Sequence, residues 1–67
     1  MKYYVNNHAQ SNGDHEVHNE TCPYLSSVLS KKYLGDFSSC KDAVMEAKKT
    51  YPTADGCATC SPSCHTR

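Results

Sequence analysis

The side chains with the most chemistry in this 67-residue chain are its five cysteines and four histidines, and their spacing points to a metal ion. Gly56 precedes Cys57-Ala58-Thr59-Cys60. Two cysteines separated by two residues can aim both sulfurs at one ion when a tight turn joins them, and a glycine just ahead suits such a turn. A structural zinc site takes four ligands, so this pair calls for a second pair elsewhere. His18 and Cys22, with three residues between them, are best placed to supply it. His15 and His65 are the alternative imidazoles, and Cys64 is the alternative thiolate. The expected site is Zn²⁺ held by His18, Cys22, Cys57 and Cys60, since one neutral imidazole with three thiolates is a common zinc donor set. Four protein ligands close the coordination sphere and leave no position for an activated water, so zinc hydrolysis is not expected.

The same residues admit other readings. Cys-x2-Cys also serves thiol–disulfide exchange, usually where a strand meets a helix N-terminus that lowers the thiol pKa. Here the predicted helix precedes the motif, which ranks redox chemistry below metal binding. His15-Glu16-Val17-His18 superficially matches a zinc-protease motif. That motif needs two histidines four apart on a helix, whereas these are three apart in a predicted strand. Cys60-x3-Cys64-His65 is one residue too long for haem attachment. Cys40 is expected to be a buried core thiol, with pairing to Cys64 or a part in the metal site as alternatives; the pairing requires an oxidising compartment.

Composition explains why a staple is needed. The chain is long enough for one small domain, spanning residues 1–67, and is 37% hydrophobic with no Trp and one Phe. Its mean hydropathy is −0.73. Area burial set against chain entropy comes out near zero at this size. Structural zinc contributes about 10–16 kcal/mol in finger-like peptides, and a disulfide about 2–4 kcal/mol. An odd number of cysteines counts against a pure disulfide framework. The N-terminal residues Met1 to Asn7 lack the apolar run of a signal peptide and no stretch is long enough to span a membrane, so a cytoplasmic, reducing setting is expected. Net charge is zero at pH 7, which is not the footprint of a protein held to nucleic acid by charge.

The elements that must position the ligands follow in order. Lys2 to Val5 reads as a strand, and Asn12-Gly13 as a tight turn leading to a second strand over Asp14 to His18. A strand period puts His15 and Val17 on one face and His18 on the other. Leu25, Val28 and Leu29 can line a helical turn or cover the core as a loop. Tyr33 to Phe37 reads as a short third strand in which Gly35 tolerates a bend. Ser39 is a good N-cap for the main helix, with Asp42 completing a capping-box pattern. Cys40, Ala43, Val44, Ala47 and Tyr51 recur at helical spacing as an inward stripe, and Tyr51-Pro52 ends the helix. The chain then turns through Asp55-Gly56 into Cys57. Tyr3, Tyr4, Tyr33 and Tyr51 are assigned to packing, and the two Lys-Lys pairs to solvated faces. The fold class is therefore α+β: a small zinc-stabilised domain with an N-terminal β-hairpin and a short third strand beside one main helix.

Three segments together resemble the Ada-like zinc-binding domain family, typified by the N-terminal domain of the Ada DNA-repair protein. They are His18-Asn19-Glu20-Thr21-Cys22, Phe37-Ser38-Ser39-Cys40-Lys41-Asp42-Ala43 and Cys57-Ala58-Thr59-Cys60-Ser61-Pro62. The resemblance covers roughly Val17 to Pro62 and implies four metal ligands in an α+β fold. In the repair protein the first ligand is a cysteine that accepts a methyl group from a DNA phosphotriester. His18 stands at the matching position and cannot perform that transfer in the same way; it is closer to the pattern of related modules appended to nucleases. The expected function is a non-enzymatic zinc module with an interaction or accessory role, monomeric and with an unidentified protein partner. A nucleic-acid-associated domain is the alternative, and a thiol-redox or methyl-acceptor protein ranks below both.

Overall fold

Alternation sets up the first two strands. The structure, a computed structural model, describes residues 1–66. Lys2–Asn6 forms β1 and His15–Asn19 forms β2, paired antiparallel with Tyr4 opposite His18 and Val5 opposite Val17. Tyr3, Val5 and Val17 are buried on one face of this hairpin. The intervening loop is closed by backbone hydrogen bonds from Gln10 to Asp14 and from Gly13 to Gln10, and the Asn12 side chain accepts from the Asp14 amide.

Lys31–Asp36 forms β3, antiparallel to the other edge of β1. The register shifts between Tyr3, which faces Gly35, and Tyr4, which faces Tyr33. Leu34 is the extra residue of this bulge, and Gly35 beside it has φ 132°, a conformation that L side chains resist. A Cβ there would also lie 3.2 Å from the Phe37 ring.

Cys40–Lys48 forms the helix, α1. Ala43, Val44 and Ala47 are buried against Tyr3, Val5 and Val17, with Cys40 and Tyr51 packed at the margin of that core, as the helical spacing requires. Ser39 occupies the N-cap position with an extended backbone, but its side chain makes no cap hydrogen bond, so the expected capping box does not form. Asp42 remains in the first turn, where the positive helix end favours its charge.

Ala54–Gly56 forms β4, where a turn was expected. It runs parallel to β2, with His15, Glu16 and Val17 opposite Ala54, Asp55 and Gly56. The sheet order is β3-β1-β2-β4, and β3 and α1 together supply the crossover that parallel neighbours need. Ala, Asp and Gly have low strand propensity, so long-range pairing rather than local preference makes this strand.

Three further expectations are corrected. Of the two readings of the Leu25–Leu29 segment the short helical turn forms, as a 3-10 turn at Leu25–Ser27, but Leu29 is 96% exposed and covers no core. Tyr33 is half exposed, stacking its ring obliquely on Tyr4 at the sheet surface instead of filling the core. Cys40 is not a free core thiol: it forms a disulfide with Cys64, tying the first residue of α1 to a second 3-10 turn at Pro62–Cys64. Among the described residues no helix is long and apolar enough to cross a membrane.

Candidate metal centre

The register of β2 against β4 creates the site. With Val17 beside Gly56, the next residues along the two parallel strands are His18 and Cys57. The Cys57 amide donates to the Val17 carbonyl at 2.9 Å, fixing the first cysteine of the turn against β2. The turn closes when the Ser61 amide donates to the Cys57 carbonyl at 2.8 Å, which brings Cys60 back toward the strand ends. On the other side β2 ends in a turn closed from the Cys22 amide to the Asn19 carbonyl at 3.1 Å. That turn folds Cys22 over His18.

The result is a four-residue cluster. One nitrogen of His18 and the sulfurs of Cys22, Cys57 and Cys60 all lie within 4.8 Å of one another. His18, Cys22 and Cys57 are buried, and Cys60 is partly exposed. The sulfurs of Cys22 and Cys57 are 3.9 Å apart, and His18 Nδ1 is 3.4 Å from the Cys22 sulfur. A tetrahedron with zinc–sulfur bonds of ~2.3 Å has edges of about 3.8 Å, and slightly shorter ones to nitrogen. The donor set and its spacing fit such an ion. No oxygen ligand is needed, and the thiolate-rich composition disfavours magnesium or calcium.

The surroundings orient the donors. Nδ1 of His18 faces the sulfurs, while Nε2 lies 3.6 Å from a Glu16 carboxylate oxygen. At this distance the carboxylate acts through its charge, which favours the imidazole proton on Nε2 and leaves Nδ1 free to ligate. The Asn19 backbone amide donates to the Cys60 sulfur at 3.4 Å, and the Asn19 side-chain amide donates to the Cys60 carbonyl at 3.3 Å. Burial, followed by the neighbouring Cys60 and Cys57 thiols, pushes the Cys22 thiol up to about 12, with the Tyr24 backbone amide acting the other way. Burial lowers the His18 pKa, and the Glu16 carboxylate opposes that shift. Without a cation the Cys22 thiol therefore keeps its proton; a dication reverses that balance and leaves the His18 imidazole neutral.

The structure also separates the alternatives. His15 Nδ1 lies 2.9 Å from the Asn6 carbonyl, and its ring stacks on Tyr51 with centroids 3.8 Å apart. His65 Nδ1 lies 3.0 Å from the Gly56 carbonyl and 3.3 Å from an Asp55 carboxylate oxygen. Neither joins the cluster, and Cys64 is committed to Cys40. Glu16 is the residue that sequence reasoning passed over: its period-2 relation to His18 put both on one strand face, a signal hidden by attention to the histidine pair around it. The chain matches no known family model, no curated protein and no solved structure at a significant level.

Proposed function

We propose that this chain is a non-enzymatic zinc module, in which the ion closes the fold and presents a rigid surface to a protein partner. The carrying observation is the convergence of four donor atoms within 4.8 Å of one another from two distant parts of the chain. One imidazole nitrogen and three thiolates form a zinc donor set with every tetrahedral position taken by protein, which favours a structural over a hydrolytic role. The Ada-like resemblance belongs to the same proposal. An imidazole at His18 removes the thiolate that methyl acceptance would need at that position, so the zinc scaffold is retained without that reaction.

Native mass spectrometry of the non-reduced protein, read beside circular dichroism before and after chelation, tests this reading. One zinc per chain and loss of folded structure on its removal are the expected results. A chain that stays folded without zinc and does not take it up would overturn the proposal. Salt-sensitive binding to DNA or RNA would move the role from a protein partner to nucleic acid.

A further inference from the structure

We propose that the Cys40–Cys64 disulfide is a thiol-exchange site for small anionic thiols, separate from the metal centre. Both cysteines line an open cleft of about 520 Å³ on the helix side of the molecule. Lys41 and Lys48, two turns apart on α1, border the same cleft, and Val44 and Met45 lie between them as an apolar floor. Asp55 also lines it. That carboxylate is buried and engaged, accepting from the Thr66 amide at 3.1 Å and from its hydroxyl at 2.8 Å, with His65 alongside. Among the described lining residues the charged groups are thus two lysines at the cleft border and one buried carboxylate, and the lysines are the ones a solute can approach. A thiol carrying carboxylates on a short aliphatic frame matches this lining.

The two sulfurs are not equivalent. Cys40 is the first residue of a nine-residue helix, whose positive end favours a thiolate. The Ser63 hydroxyl lies 3.4 Å from the Cys40 sulfur. A disulfide sulfur carries no hydrogen, so the hydroxyl is the donor there, and it would also donate to a departing thiolate. Among the described residues no helix end or hydroxyl supports the Cys64 sulfur in this way, and Cys64 is pressed against β4, with its Cβ 2.7 Å from where a Cβ on Gly56 would stand. The better leaving group departs faster. The incoming thiolate RS⁻ therefore attacks Cys64 Sγ, the Cys64–Cys40 bond breaks, and its electron pair leaves on Cys40. A second RS⁻ then attacks the R-bearing sulfur, releasing Cys64 as thiolate and RSSR. Two thiols are oxidised to one disulfide while the protein disulfide is reduced by two electrons; the reverse sequence restores it.

The test uses the intact, zinc-loaded protein treated with glutathione or with cysteamine at equal thiolate concentration and low ionic strength, followed by acid quench and peptide mapping. Glutathione should react about 10-fold faster, because charge steering of this kind is lost for a cationic thiol and is screened by salt. Its adduct should map to Cys64. The advantage should disappear in a Lys41→Gln, Lys48→Gln double variant whose zinc content is unchanged. Equal rates for the two thiols would overturn the proposal. So would adducts confined to Cys22, Cys57 or Cys60, or free thiols at Cys40 and Cys64 before treatment.

Discussion

His18 shows how much one side chain can decide. Four histidines were available, and the three-residue gap to Cys22 singled out one of them before any geometry was known. The sequence did not say which ring nitrogen would serve, because that depends on Glu16 reaching across the same strand face to Nε2. Glu16→Gln should therefore weaken zinc affinity by about 10-fold without removing a ligand; a competition titration against a calibrated chelator measures it. Protons give a second test at this scale. The metal-free Cys22 thiol, pushed up to about 12, is protonated at pH 7, while His18, with its pKa lowered, is neutral. Because zinc takes its sulfur ligands as thiolates, binding at pH 7 should release up to three protons, all from thiols and the Cys22 proton among them. The free site holds more protons than the loaded one, so affinity should rise with pH and zinc should leave on acidification. His18 acts in the same direction: below its ordinary 6.5 the unfolded chain gains a proton that the folded chain resists. Calorimetric titration in two buffers of different ionisation enthalpy counts the protons, and a release near one would contradict the three-thiolate site.

The elements divide by how local their causes are. The β1–β2 hairpin and α1 were legible because period-2 and period-3.6 patterns and a turn signal are written into consecutive residues. β4 was not. Ala54-Asp55-Gly56 carries no strand signal, and its existence depends on β2 lying alongside and on α1 and the Pro62–Cys64 turn covering it. Ser39 failed differently: the residue type was right for a cap, but no side-chain cap bond forms. Gly56 is the most sensitive position of β4. A Cβ there would stand 2.7 Å from Cys64 Cβ and 2.8 Å from the Cys64 carbonyl carbon, and backbone cannot give way cheaply. Gly56→Ala should cost about 1–3 kcal/mol or more by overpacking. Thermal unfolding of the zinc-loaded variant checks this, and an unchanged midpoint would show that the final turn is free to move.

The whole molecule carries a disulfide staple beside the candidate metal cluster, where a single staple was preferred from the sequence. Zinc was favoured because five cysteines cannot all pair, yet one disulfide and a three-thiol metal cluster use all five without remainder. The pair itself was legible as the alternative left once Cys22, Cys57 and Cys60 are assigned to the metal; that it forms was not, since Cys40 and Cys64 are neighbours only after α1 and the final turn have packed. The staples should differ in what their loss does. Cys22→Ser or Cys57→Ser should abolish zinc binding and cooperative folding together, because about 10–16 kcal/mol of metal binding is folding energy in modules of this kind. Cys40→Ala should keep the zinc and lose about 3 kcal/mol through the opened loop, whose ends are 24 residues apart in sequence. Denaturation monitored with zinc content separates these outcomes, and loss of metal in Cys40→Ala would place that residue in the metal site.

The disulfide also bears on the order of assembly. Cys57 and Cys60 lie inside the loop that Cys40 and Cys64 close, while His18 and Cys22 lie outside it. On a chain being synthesised, the outer donors emerge long before the inner ones and wait without partners. Once the loop is closed, the chain path from Cys22 to Cys57 shortens from 35 residues to about 25, which raises the effective concentration of the inner pair at β2 by about twofold at most. Oxidation before metal capture therefore assists the native centre only slightly, so the two closures are close to independent in their chain-entropy cost.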